Sequence, residues 1–366
     1  MKLCFIANSN TAHTRRWLAY FAARGHEVHI ITEHRPESPF LDVTLHDLTA
    51  TTNIRKLRYI LWAVTVHWLV RRLRPDVLHA HQVTSAGWLG WAANYHPFVV
   101  TPWGSDLYQL PQRSHLARWL ARRALSAADL VTADSADLLA QAIRLGADPG
   151  RAQVMQWGVD LITFSPTENR AALRRQLGLG DGPVILSPRS MRPIYRHNVT
   201  LAAIPAVRQE IPGATFVFRD YNADPPDYAA QLKKQAQVLG ISDTVRFIGP
   251  IDRYEDVADF YRAADLVVSV PISDGTPVSV LEAFACGTPV IASDLPSLRE
   301  WIGDGQSGLL VPVGDAEALT RAIIRLLTDR LLYSRIQGQA LQLVKKRADH
   351  AAWMAQMETL YQGLVP

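Results

Sequence analysis

The chemistry of this sequence concentrates around two carboxylates, Asp274 and Glu282, separated by seven residues in DGTPVSVLEAFACGTPVIAS. The apolar run DLVVSV leads into a loop containing Gly275 and Pro277, after which a helix is expected to begin. A helix start there leaves the amides of Val278, Ser279 and Val280 without intrahelical partners, and those donors and the helix dipole favour a phosphate. Glu282 follows about one turn later, where a carboxylate can accept hydrogen bonds from a diol such as a ribose. The plainer reading makes Asp274 a solvated helix cap and Glu282 an ordinary helical glutamate. His79 and His81 flank Ala80 on one side of an expected strand, as a metal pair would, but no third ligand is near in sequence and they are read as structural.

Elements able to position these residues alternate along the whole chain. LCFIAN, EVHIIT, VLHAH, PFVVT and DLVTA are strand candidates of one sheet, with an amphipathic helix over Thr11–Arg24. GPVILSPR, ATFVFRD, VRFIG, DLVVSV, TPVIAS and GLLVP form a second series, separated by helical segments such as Asp227–Gly240 and Pro277–Cys286. Short apolar strands between amphipathic helices imply an α/β fold of two successive Rossmann-like halves around parallel sheets. WGVDLITFSP resembles a linker, so the expected domains are 1–165 and 166–345, followed by a C-terminal segment 346–366. Ligands are expected at the carboxyl ends of the strands, in a cleft between the two domains.

Composition narrows the class. A chain of 366 residues, 48% hydrophobic and 20% charged, is too apolar for disorder and long enough for about two domains. Cys4 and Cys286 lie far apart in apolar runs, which excludes a disulfide framework and points to a reducing compartment. The N-terminus has no small-residue cleavage site of a signal peptide, and no apolar run reaches membrane-spanning length, so a soluble protein is expected. Residues 1–170 carry 18 Lys and Arg against 13 Asp and Glu, whereas 171–366 carry 20 against 21. The basic excess therefore belongs to the first half. No nucleic-acid-reading motif accompanies it, leaving anionic lipid or phosphate as the matching partner.

The block DGTPVSVLEAFACGTPVIAS resembles the E-x7-E signature of retaining, nucleotide-sugar-dependent glycosyltransferases of GT-B fold, specifically family four (glycosyl transferases group 1). RGHEVHIIT, RPDVLHAHQ, ADLVTADSADL, WGVDLITFSP, VRFIGPI and GQSGLLVPVGDAEALTRAI follow that family's order and spacing, so the resemblance covers nearly the whole chain. It implies two Rossmann-like domains facing each other across a cleft, the first binding the acceptor and the second the donor, and a C-terminal helix within 346–366 that returns to the first domain. Glu282 would hold the ribose, Ser279 and Val280 the diphosphate, and Asp274 the donor sugar, in a pocket around Gly275, Thr276, Pro277 and Val278. The family usually has Glu at the position of Asp274. Arg189, after the first strand of the second domain, would neutralise the leaving diphosphate. The family's lysine position holds Ile194, so Arg192 or Arg196 would substitute, with Arg196 preferred. Pro250 and Ile251 would lie in the loop that cradles the base.

On the acceptor side the resemblance implies Asn8, Ser9 and Asn10, with a helix cap at Asn10 or Thr11. Trp103 occupies the place where the family often has a histidine near the reacting carbon. Asp106 would contact donor sugar or acceptor hydroxyl (a helix cap being the plainer role), and His13 or His81 would approach from neighbouring loops. The chain has no Asp-x-Asp, the paired carboxylates that hold a divalent ion on a diphosphate. Arg189 and the helix start would supply that charge instead, and no metal or other cofactor is expected. The implied reaction is transfer of a sugar from a nucleotide diphosphate-sugar to a saccharide, lipid-linked or small-molecule acceptor, in the cytoplasm. The alternatives are a nucleotide-sugar-binding subunit without activity and a nucleotide-sugar epimerase. Arg55, Lys56 and Arg58 precede the apolar stretch Tyr59–Val70, and Arg71, Arg72 and Arg74 follow it. Such a helix, or the basic segment His115–Leu125, could rest on the inner face of an anionic membrane; packing on the sheet is the favoured reading.

Overall fold

Most strands are rich in Val, Ile and Leu and buried on both faces, most connections between them run through helices, and every strand pairing is parallel. The computed structural model describes residues 1–49, 58–109, 114–220, 226–251 and 253–365. Arg55 and Lys56 therefore lie outside the described residues. The chain divides into two units: Met1–Trp157 with Ala351–Pro366, and Gly158–His350. Against the expected 165 and 345, the divisions fall at Trp157 and His350. Val159 pairs with Asp349 in an isolated bridge, its N–H donating to Ala348 O at 2.7 Å and its carbonyl accepting from His350 N at 3.1 Å. Gly158, at φ +64°, is needed there, because a Cβ would lie 2.6 Å from the His350 nitrogen.

The first unit runs β1 (Lys2–Ile6), α1 (Ala12–Ala23), β2 (Glu27–Thr32), β3 (Val43–Asp47), α2 (Arg58–Leu73), β4 (Val77–His81), α3 (Ala86–Ala93), β5 (Phe98–Thr101), α4 (Ser105–Tyr108), α5 (His115–Ala127), β6 (Leu130–Ala133), α6 (Ala136–Leu145) and β7 (Ala152–Val154). Its sheet order is β3-β2-β1-β4-β5-β6-β7. The edge strands β3 and β7 add to the five expected here: β3 exposes side chains along its length and β7 has three residues, so neither forms a buried apolar run.

The second unit runs α7 (Arg170–Gln176), β8 (Val184–Ser187), α8 (His197–Glu210), β9 (Thr215–Arg219), α9 (Pro226–Val238), β10 (Val245–Ile248), α10 (Tyr254–Ala263), β11 (Leu266–Ser269), α11 (Val278–Ala285), β12 (Val290–Ser293), α12 (Pro296–Arg299), β13 (Leu309–Val311), α13 (Ala316–Thr328) and α14 (Arg330–Arg347). Its order is β10-β9-β8-β11-β12-β13. The strand order reverses between β1 and β4 in the first sheet and between β8 and β11 in the second. Such switch points are where open α/β sheets place ligands, at the carboxyl ends of the strands.

The last helix, α15 (His350–Leu364), belongs to the first unit from Ala351 onward. Met354, Met357 and Tyr361 are buried there. The Tyr361 hydroxyl meets His79 Nδ1 at 2.5 Å, and Glu358 bonds Arg24 Nε at 2.6 Å and His26 Nε2 at 2.7 Å. Among the described residues no helix is long and apolar enough to cross a membrane.

Candidate active site

The switch point of the second unit brings the ends of β8 and β11 side by side. Arg189 leaves β8 and Asp274 lies in the loop after β11. Arg189 Nη2 donates to Asp274 Oδ1 at 3.1 Å and lies 3.0 Å from Oδ2, while Nη1 donates to Ser279 Oγ at 3.1 Å. The guanidinium also stacks on Tyr195, 4.1 Å from the ring centre. Burial raises the Asp274 pKa above the ordinary carboxylate value, and the Arg189 charge opposes that rise. Ser297 Oγ donates to the Asp274 carbonyl at 2.8 Å, fixing the loop. The two residues assigned separately to diphosphate and sugar are therefore one ion pair against the start of α11.

Every residue of α11 is buried, as a helix between two packed layers requires. Pro277 is its N-cap, and the Val280 N–H turns back to the Pro277 carbonyl at 2.8 Å. This corrects the expectation that the Val280 amide faces the diphosphate: a tight first turn uses it, leaving the amides of Val278 and Ser279 as the helix-start donors. Glu282 is 8% exposed. Its Oε1 accepts from Tyr254 OH at 2.6 Å and its Oε2 from Tyr261 OH at 2.8 Å, so two tyrosines of α10 hold the carboxylate. An ionised carboxylate accepts hydrogen bonds at about four sites, the chemistry that receives hydroxyls such as those of a diol. The tyrosines are not among the expected site residues, although their spacing of two helical turns is the signal that both face one neighbour.

Gly275, Thr276 and Pro277 are buried beside Asp274. Arg192 is exposed, whereas Arg196 is half-buried, adopts φ +51° and caps α8. Its Nε is buried without a partner, and its Nη2 would lie 3.2 Å from a Cβ at Gly314. Pro250 is exposed and Ile251 half-buried after β10.

In the first unit, Thr11 rather than Asn10 caps α1, accepting from Thr14 N at 3.2 Å. Asn10 instead ties the turn to the next loop: its Nδ2 donates to Arg35 O at 3.0 Å and its Oδ1 accepts from Glu37 N at 3.0 Å. Ser9 Oγ donates to His34 O at 3.0 Å, and Asn8 Oδ1 accepts from Asn10 N at 2.9 Å. Asp106 is buried with Oδ2 on Val83 N at 2.7 Å and Oδ1 on Trp103 N at 2.9 Å. Burial raises its pKa, against the lowering by those amides. Its carboxylate thus joins two loops, and the cap of α4 is Gly104.

Aromatic rings gather at this end of the sheet. His13 lies 4.8 Å from Trp157 and 5.9 Å from Trp103, and the two indoles are 4.9 Å apart, measured between ring centres. Trp157 is not among the expected site residues, because it sits far from the others in sequence. His81 packs 5.6 Å from Trp103 and 4.9 Å from Trp17. Both its ring nitrogens are buried without partners, and burial holds its pKa at about 3. His79 differs: Nε2 bonds Thr101 Oγ1 at 2.6 Å opposite the Tyr361 contact. Among the described residues no cluster of three or more His, Cys, Asp or Glu could hold a metal ion.

Two parallel sheets, each flanked by helices and each reversing its strand order beside the residues above, define a GT-B fold of two Rossmann-like domains. Residues 169–342 match the family model described as glycosyl transferases group 1, and residues 2–135 that described as glycosyl transferase 4-like. D-inositol 3-phosphate glycosyltransferase 2 of Catenulispora acidiphila is 33% identical over 273 residues, covering 69% of this chain and 62% of its own. The chain spans about three fifths of the length of such curated relatives. A sucrose-phosphate synthase structure from Thermosynechococcus elongatus superposes with TM-score 0.86 at 24% identity, covering 100% of this chain and 99% of that one. HepE of Anabaena in complex with UDP-glucose gives TM-score 0.84 at 20% identity, covering 100% of both chains. The chain belongs to the GT1/GT4 superfamily of GT-B-fold glycosyltransferases.

Proposed function

We propose that the protein transfers a sugar from a nucleotide diphosphate-sugar to an acceptor hydroxyl with retention of configuration and without a metal ion. The observation that carries this reading is the placement of the Arg189 guanidinium, fixed by Asp274 and Ser279 at the start of α11. A cation beside a helix N-terminus stabilises the charge that accumulates on a diphosphate as its bond to the sugar breaks. Ribose hydroxyls would donate to Glu282, already oriented by Tyr254 and Tyr261. Asp274 would accept from hydroxyls of the donor sugar, and Arg196 would supply a second positive charge. The leaving phosphate would take the acceptor proton, so the reaction needs no enzyme nucleophile. Acceptor binding belongs to the first unit, around His13, Trp103 and Trp157, where aromatic faces can pack on a saccharide. A cytoplasmic compartment and a glycoconjugate product are parts of the same reading; the curated relatives are named for glycosyl transfer.

A second reading is favoured by Trp103 and by the engagement of both Asp106 oxygens with backbone amides: a nucleotide-sugar-binding protein without transfer activity. The two separate in one experiment. Incubation of the purified chain with UDP-, GDP- and ADP-sugars and candidate acceptors, in the presence of a chelator, is expected to yield product with the donor's anomeric configuration. An inverted product, or turnover abolished by the chelator, contradicts the first reading; binding without product favours the second.

A further inference from the structure

We propose that the outer face formed by α2, α3 and α5 of the first unit seats on an anionic phospholipid surface. Helix α2 is anchored on one side by buried Trp62, Val66 and Val70, with Trp62 Nε1 donating to Leu48 O at 2.9 Å. Its opposite side is apolar as well: Ile60, Val64 and Trp68 are 63%, 54% and 68% exposed. With Arg71 they fall within an arc of roughly 80°, and Leu61 and Arg72 extend it. Helix α13 shows what a water-facing helix of this chain looks like, since its corresponding outward positions are Glu317, Arg321 and Arg325. The apolar stripe on α2 is therefore a property of that face and not of the fold.

Helix α3 lies between α2 and α5 on the same side of the sheet. On α5, Leu116 and Trp119 are exposed among Arg118, Arg122 and Arg123. Arg123 stacks on the Trp119 ring at 5.3 Å, and Trp91 of α3 meets that ring edge-on at 5.7 Å. The three helices together carry six arginines and no carboxylate; Glu33 meets the Tyr59 hydroxyl at the start of α2. Exposed apolar and indole side chains interspersed with guanidinium groups match acyl-chain ends and headgroup phosphates of an anionic leaflet. A second copy of this chain is a poorer occupant, because a two-fold contact would set arginine against arginine. The inference does not depend on the transfer reaction.

The test is co-sedimentation of the full chain with vesicles of phosphatidylcholine alone and of phosphatidylcholine mixed with phosphatidylglycerol. The chain is expected to bind the mixed vesicles, to release with rising salt and to ignore the neutral ones. Arg71→Gln with Arg72→Gln is expected to weaken partitioning on the order of thirtyfold, and Trp68→Ser by roughly tenfold or more, both with an unchanged thermal midpoint. No binding to the mixed vesicles, equal binding to neutral ones, or binding indifferent to both variants overturns the proposal. So does a lipid-free dimer that Trp68→Ser dissolves, which would assign the face to a second copy.

Discussion

Replacing Arg189 by Met separates what that residue does for stability from what it does for the donor. The substitution keeps the side-chain bulk and removes the cation beside Asp274, whose side chain is only 14% exposed. Breaking a buried pair commonly costs about 3–5 kcal/mol. The stranded carboxyl can instead take a proton, which caps the cost at pH 7 below about 4 kcal/mol, at ~1.4 kcal/mol for each unit separating pH 7 from the carboxyl's pKa. Because Asp274 is already raised by burial, losing Arg189 raises it further above its unfolded value. In the window between those two values the folded state holds more protons than the unfolded one, so stability falls as pH rises and returns as pH drops. Urea unfolding at several pH values, followed with wild type in parallel, is expected to show a deficit of about 2–4 kcal/mol at pH 7 that shrinks on acidification. Adding Asp274→Asn to the same chain removes the stranded charge and is expected to recover most of the stability. Donor affinity should remain about ten- to hundredfold weaker in that double variant, since the Arg189 cation no longer faces the diphosphate. A single variant as stable as wild type at every pH, or a double variant that binds donor normally, would refute the reasoning.

Three further outcomes are expected. Tyr254→Phe and Tyr261→Phe each remove a hydrogen bond to the Glu282 carboxylate and should weaken donor binding roughly tenfold by calorimetry; unchanged affinity in both would remove the tyrosines from the site. His81, held near pKa 3 in the fold and about 6.5 when unfolded, is protonated first in the unfolded chain as pH falls. Stability should therefore drop between pH 7 and 5, and His81→Phe should abolish roughly 2 kcal/mol of that loss; an identical pH profile in the variant contradicts it. Asp106→Asn sets an amide nitrogen against one of the amides of Val83 and Trp103, and should cost about 2–3 kcal/mol of stability while donor affinity stays as it was.

The second sheet is legible in the sequence because all six of its strands are short apolar runs bounded by turn residues, and periodicity detects burial on both faces. Strands β3 and β7 are not, since an exposed edge strand and a three-residue strand carry no such signal. Within the site, the residue types and spacing around Asp274 and Glu282 point to a phosphate and a diol, and the family resemblance adds Arg189. What the chain pattern does not convey is who meets whom. The Arg189–Asp274 pair spans 85 positions and the bond of Asp106 to Val83 spans 23, and His79 meets Tyr361 only because the last helix packs on the first sheet. The use of the Val280 amide inside its own first turn is a matter of local geometry that residue type does not encode.

The central claim is that the second unit binds a nucleotide diphosphate-sugar and that Arg189 and Glu282 act on it. It is tested most directly by release of nucleoside diphosphate from a panel of UDP-, GDP- and ADP-sugars by the purified chain, with Arg189→Ala and Glu282→Ala beside it. Turnover of at least one donor, lost by a hundredfold or so in Arg189→Ala and reduced in Glu282→Ala, is the expected result. Turnover unchanged in both variants would contradict the account.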